Sequence, residues 1–383
     1  MIAVAFVVSM AFCTVPTPLY PLYQQRDGFA TSMITVIFAA YAVGVIASLY
    51  FAGHISDWLG RRRVILASVL VEALSAAVFL GWNDPAGLIV ARLISGVGVG
   101  ALTATATAHL SELRAIAKPA ENGERAATIA TVVNTGGLAL GPIIGGVLAQ
   151  YVAAPLLVPY LVFLVLLILC AIGVAFVPET VERAEERPAY RPQRVSLPSD
   201  ARWSFFAAAV GAAAAFSVFG VFTALTATFV SGTLHVTSHV AAGAVVFGVM
   251  GAAAAAQILF GRTAPRRKLQ IGVAMMGLGL LGIAAASLLL SIELFVVAGI
   301  ASGAGVGLVF GSAIGVAAAL APADRRGEVL AGMFLWAYAG LTIPVVAVGI
   351  ALSVFGAQEV MVAFSLAVLV IVLGSGAAML KRR

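Results

Sequence analysis

The chain has 383 residues, 62% of them hydrophobic and only 10% charged, with a formal net charge of +6 and a mean hydropathy of +1.09. Soluble domains carry about a quarter charged residues, so this composition excludes an ordinary water-soluble enzyme or binding module. A transmembrane barrel is excluded too, because it would alternate polar and apolar residues over segments of about ten, whereas here long apolar runs alternate with short charged turns.

Twelve apolar segments are predicted, at about 1–23, 28–52, 63–82, 86–112, 124–151, 155–177, 203–231, 236–261, 269–290, 292–320, 325–354 and 357–380. Each is long enough to cross a hydrocarbon layer, which takes roughly 20 residues of helix. The first segment lacks a basic leading region, and bulky Phe12 before Cys13 suits neither signal cleavage nor lipidation. It is read as a retained span, and a short tail ahead of Met1 is expected. Its unusual residues are Thr14, Pro16, Thr17 and Tyr20, with no acid among them; Thr17 and Tyr20 are candidates for a substrate cavity. Cys13 and Cys170 both fall in spans and imply no disulfide framework.

Between the second and third spans lies Gly53-His54-Ile55-Ser56-Asp57-Trp58-Leu59-Gly60-Arg61-Arg62-Arg63. A turn this charged belongs at the water boundary, since charge in the bilayer centre costs several kcal/mol. Asp57 can accept hydrogen bonds from a neighbouring helix N-terminus or pair with an arginine. Glu72 stands midway along the third span and Arg92 is the one cation within a span. Both must be paired, neutralised or set in a wet cavity. Arg92 is either functional or held by backbone carbonyls or by Glu72. The fifth span contains Gly137, Gly141, Pro142, Gly145 and Gly146, a small-residue face that admits close helix approach and a proline that bends the helix.

Residues 178–202, rich in Glu, Arg and Pro, cannot bury a core and read as a solvated linker. The expected domains are therefore 1–177, the linker 178–202, and 203–383. In the seventh span Phe222, Thr226 and Phe229 share one helical face; with Phe310 and Trp336, and Tyr338 beside it, they could wall an apolar cavity. His235 and His239 are four apart but have no nearby cysteine or carboxylate, so no metal site is expected. Neither a nucleophile–base pair nor a phosphate-cradling loop appears, so no catalysis and no cofactor are expected.

Of the 22 Lys and Arg, 20 fall at 61–63, 114–125, 183–202, 262–268, 325–326 and 381–383, all in alternate loops or the C-terminal tail. The positive-inside pattern places those segments, and both termini, on the cytoplasmic side of a plasma membrane. Ser95-Gly96-Val97-Gly98-Val99-Gly100 returns as Ser302-Gly303-Ala304-Gly305-Val306-Gly307, and Gly123-Glu124 and Pro142 return as Gly327-Glu328 and Pro344. These collinear pairs, about two hundred residues apart, mark a duplicated half.

The loop pattern G-x-x-x-D-x-x-G-R-R at Gly53, Asp57, Gly60, Arg61 and Arg62, with Leu66 following, resembles that between the second and third spans of the major facilitator superfamily. Arg92 with Gly96 and Gly98 is similar to its fourth-span R-x-x-Q-G-x-G, with Ser95 in place of the glutamine. The fifth-span G-x-x-x-G-P-x-x-G-G is similar to a pattern of its antiporters, and the whole is most like the twelve-span drug:proton antiporter group. The resemblance implies an all-α polytopic membrane protein, twelve transmembrane helices in two pseudo-symmetric six-helix bundles working by alternating access. It further implies a conformational switch in the Asp57–Arg62 loop, and proton movement through Arg92, with Glu72 as a second candidate carrier. The expected function is efflux of small lipophilic compounds by proton antiport. The alternatives are uptake of a metabolite by symport, which the acid-free first span leaves open, and a non-transporting receptor or assembly protein. Expected partners are a small-molecule substrate, protons and the bilayer, with no nucleic acid, and the protein is expected to be a monomer.

Overall fold

The computed structural model describes residues 1–52, 55–118, 124–181, 201–321 and 326–381, without the side chains of 57, 124–128, 131 and 326–327. Gly53 and Gly123 of the sequence patterns, the Asp57 side chain, and 182–200 of the linker lie outside the described residues. The helices are α1 (Ile2–Thr14), α2 (Tyr20–Asp27), α3 (Thr31–Ala52), α4 (Ser56–Leu59), α5 (Arg61–Gly81), α6 (Pro85–Ala117), α7 (Glu124–Tyr151) and α8 (Val158–Ala175). They continue with α9 (Arg202–Gly232), α10 (His239–Leu259), α11 (Pro265–Leu289), α12 (Ile292–Leu320), α13 (Arg326–Ala351) and α14 (Ala357–Lys381). Among the described residues, twelve segments are long and apolar enough to cross a membrane, the first being α1 and α2 taken together.

Local chemistry sets the helix ends. Asp84 caps α6 by accepting from the Gly87 amide at 2.9 Å, with Pro85 at the first helical position. That amide also holds the Asp84 carboxyl below its usual range. Ser238 and Ser291 cap α10 and α12 in the same way, each at 3.2 Å. The first span breaks instead of running through. Pro16 and Pro18 supply no amide hydrogens, so α1 stops at Thr14 and a 3-10 turn, Thr17–Leu19, joins it to α2.

Helices α1–α8 pack among themselves, and so do α9–α14, giving two six-span bundles. They meet along two seams, α7 against α10 and α3 against α13. Because the repeat maps the second span onto the eighth and the fifth onto the eleventh, the two seams are the same contact made twice. Call the side with the Arg61–Arg63 loop the basic side and the other the far side. The seams are joined from the far side inward. In the first, Gln150 accepts from Ser238 at 2.8 Å and from the Val240 amide at 3.1 Å. Gly146 lies against His239 and Gly243 against the Pro142 carbonyl, and Ala139 packs with Val246 and Met250 at mid-depth. In the second, Gly349 lies against Thr35 and Tyr41 faces Tyr338.

Candidate functional site

Between the two seams at mid-depth sits an aromatic cluster of half-buried side chains from the second bundle. Phe216 of α9 is 4.7 Å from Phe310 of α12, 5.8 Å from Tyr338 of α13 and 6.0 Å from Phe219, measured between ring centroids. Phe334 closes the group, 5.8 Å from Phe310. Phe219 reaches the α7/α10 seam beside Ala139 and Val246, and Tyr338 reaches the other seam at Tyr41. The cluster therefore runs from one seam to the other along the second bundle.

The seventh-span face predicted for this wall turns elsewhere. Phe222 and Phe229 each lie 5.3 Å from Phe295 of α12, and both are buried, as is Thr226 between them. The face on which spacing puts these three packs inside its own bundle, and Phe216 and Phe219 are the half-buried phenylalanines of this stretch. Trp336 is 41% exposed and shares a stripe with Ile343 at 68% and Ile350 at 58%. Residues seven apart lie on one helical face, and Ile350 sits at the far end, where the seams are joined. That stripe faces outward, and Trp336 packs there on Phe206 at 5.5 Å. Thr17 and Tyr20 are buried. The 3-10 turn that holds Thr17 packs on α7, α9 and α10, which puts both residues in the far-side closure.

Behind the seam, in the first bundle, Arg92 is 2% exposed. Its Nη1 donates to the Cys13 carbonyl at 2.5 Å. Its guanidinium carbon lies 4.5 Å from the Tyr41 ring centroid and 5.7 Å from that of Phe38. The sequence explains this geometry. Cys13 is next to last in a helix that prolines interrupt, and a cation belongs at such a C-terminal end. Neighbouring groups must satisfy backbone freed within a membrane span. Glu72 of α5 is fully buried and accepts from Ser95 Oγ at 3.3 and 3.4 Å. Arg92 has no carboxylate within ion-pair distance among the described residues. Tyr41 donates to Cys13 Sγ at 3.6 Å. Sequence reasoning passed over Tyr41; a phenol in an otherwise apolar span was the available signal.

The fifth-span glycines serve two faces. Gly137, Gly141 and Gly145 press α7 onto α1, at Met10, Ala11 and Val15, while Pro142 and Gly146 press it onto α10 across the seam. On the basic side, Gly60 takes φ +97° before α5, a region other residues resist. The Arg61 amide donates to Glu179 Oε1 at 2.8 Å and the Arg62 amide to Oε2 at 3.2 Å. A carboxylate thus serves the α5 N-terminus, and it is that of Glu179. The Arg61 side chain donates to Ser56 at 2.6 Å and to Glu112 at 3.2 Å, and Thr180 donates to Glu112 at 2.5 Å. Arg62 reaches the Val177 carbonyl at 3.2 Å. The start of the expected solvated linker, Glu179-Thr180, is thus docked on α5 and α6. His109 contacts Thr180 at 2.9 Å.

The chain is similar over part of its length to two resistance proteins and over nearly all of it to two solved transporter structures. Over 138 residues, 36% of this chain and 27% of the relative, the chain is 30% identical to the puromycin resistance protein pur8 of Streptomyces alboniger. Over 133 residues, 35% of this chain and 33% of the relative, it is 25% identical to the quinolone resistance protein NorA of Staphylococcus aureus. It covers about a third or less of the length of these relatives. Among solved structures, the human organic anion transporter MFSD10 (TETRAN) superposes with a TM-score of 0.72 at 16% identity, over 99% of this chain and 97% of that one. A bacterial homolog of the human lysosomal transporter Spinster, inward-facing and unoccupied, gives 0.75 at 15%, over 99% and 96%. At such identities the likeness is one of fold. The description of the Major Facilitator Superfamily matches residues 2–343, and the chain belongs to that family of membrane transporters.

Proposed function

We propose that this secondary transporter exports small lipophilic organic compounds from the cell by proton antiport. The observation that carries the reading is the half-buried aromatic wall of Phe216, Phe219, Phe310, Phe334 and Tyr338 between the bundles. Such a wall offers area and shape to apolar ligands and few hydrogen bonds. The similarity to drug-resistance proteins and the fifth-span antiporter pattern support the direction. The joined far halves of both seams support an inward-facing state, with the basic side in the cytoplasm of a plasma membrane and both termini there. The division into 1–177, a linker 178–202 and 203–383 belongs to the same reading.

Coupling is assigned to Arg92 and Glu72; Ser95, on the helix that carries Arg92, donates to Glu72 of α5. Gly53, Asp57, Gly60, Arg61 and Arg62 form the switch, and α7, with Gly137 to Gly146, is the helix about which the bundles rock. Everted vesicles holding the protein should accumulate a lipophilic dye on energisation and release it when an uncoupler is added. Uncoupler-sensitive uptake by intact cells would replace export with symport. Movement of no compound across a broad panel would remove transport of this class altogether.

A further inference from the structure

We infer that the aromatic wall is a site for planar aromatic molecules that are neutral or carry one negative charge, and that it discriminates against cations. The inference rests on the export reading for its biological direction but not for its chemistry. Aromatic faces alone would welcome a cation, so the neighbouring charge decides. Among the described residues, the ionised group nearest the wall in the chain of contacts is Arg92. Its guanidinium sits 4.5 Å from the Tyr41 ring, Tyr41 faces Tyr338 across the seam, and Tyr338 lies 5.8 Å from Phe216. Arg92 is buried, and among the described residues its Nε has no hydrogen-bond partner. Among the described residues no carboxylate lies within ion-pair distance of it; Glu72, one helix away, is wholly covered and accepts from Ser95 instead. The other paired acids near this bundle's core, Glu112 and Glu179, are engaged with Arg61 and Arg62 at the basic end.

A positive charge one ring behind an aromatic wall repels a bound cation and attracts an anion. The half-buried Tyr338 supplies a phenol hydroxyl to meet an acceptor on the ligand, whereas Tyr41 is buried and already donates to Cys13 Sγ. For unit charges roughly 10 Å apart at an effective dielectric of about 20, the discrimination is about tenfold or somewhat more.

Three probes on one ring system test this: N-phenyl-1-naphthylamine (neutral), 8-anilino-1-naphthalenesulfonate (anionic) and a trimethylammonium derivative of the same phenylnaphthylamine (cationic). Binding is read by fluorescence on the full chain in nanodiscs of zwitterionic lipid, with the Phe216→Ala/Tyr338→Ala protein as the blank. The expected order is anion at least as tight as neutral, and cation about tenfold weaker. Arg92→Lys keeps that order, and Arg92→Gln brings the three within about threefold of one another. A cation bound as tightly as the neutral probe overturns the inference, and so does discrimination that survives in monodisperse Arg92→Gln. The wild-type order decides by itself if Arg92→Gln does not fold. Uncoupler-sensitive export of the cationic probe would sink this inference while leaving the export reading intact. The expected binding order without export of any dye would do the reverse.

Discussion

Helices α6 and α12 carry the same glycine ladder, use it the same way, and differ in what stands one turn ahead of it. Gly96 abuts the Tyr41 carbonyl of α3, and Gly303 abuts the Val249 carbonyl of α10. Gly98 meets Ser68 and Glu72 of α5, and Gly305 meets Met276 of α11. Small residues let backbones touch, and packing is what holds helices together where lipid is as apolar as the core. The counterpart of Arg92, in the register that aligns Ser95 with Ser302, is Gly299. A Cβ there would stand 3.0 Å from a Phe222 ring carbon, so the second bundle fills with stacked phenylalanines the place where the first sets a buried cation. The ladder is a requirement of packing in both halves; the position ahead of it is free to diverge, and the chemistry of the two halves has parted there.

The harshest way to break this comparison is to fill the ladder. Gly96→Leu and Gly303→Leu each force a side chain into a facing backbone carbonyl, and each should cost more than about 3 kcal/mol. Neither should give a monodisperse peak in size-exclusion chromatography from detergent. A well-folded Gly303→Leu beside an unfolded Gly96→Leu would show that the two ladders are not equivalent.

One turn away, the halves should respond in different currencies. Phe222→Ala opens a void against Phe295 and Gly299, costing about 3 kcal/mol; melting should fall by several degrees while transport at equal protein level persists. Arg92→Met leaves the Cys13 carbonyl without its donor, a loss of about 1–3 kcal/mol. Transport in vesicles should fall at least about tenfold. Equal transport losses in the two variants would argue that Phe222, too, serves the cavity.

The spans were legible because membrane thickness converts directly into run length, and the loop basicity, glycine ladder and fifth-span proline could be read one residue at a time. Which face of a span meets the cavity was not legible. Most positions of α9 are buried, on more than one face, so periodicity sorted Phe222, Thr226 and Phe229 onto one face without saying which neighbour that face meets. Trp336 and Tyr338 are two residues apart on nearly opposite sides of α13, and composition cannot choose between them. Glu179 was hidden for another reason. It follows Pro178 at the head of a Glu- and Arg-rich stretch that cannot form a core, and its partners are backbone amides more than a hundred residues away.

That carboxylate sharpens the comparison most gently. The α5 N-terminus carries Glu179 across its first amides, while α11, which opens the matching position of the second bundle at Pro265-Arg266-Arg267-Lys268, has no side-chain cap among the described residues. A proline at the first helical position removes one orphan amide and needs no acid. A carboxylate at a helix end is worth about 1 kcal/mol through its hydrogen bonds and the helix dipole. Glu179→Gln keeps an acceptor but loses the charge, so the melting temperature should drop by only about 1–3 °C. Arg61→Ala, which breaks the bonds to both Ser56 and Glu112, should lower the transport rate further than Glu179→Gln at equal membrane level. If Glu179→Gln instead abolished transport with melting unchanged, the carboxylate would be part of the switch itself, and the asymmetry between the bundles would extend from their centres to the basic surface.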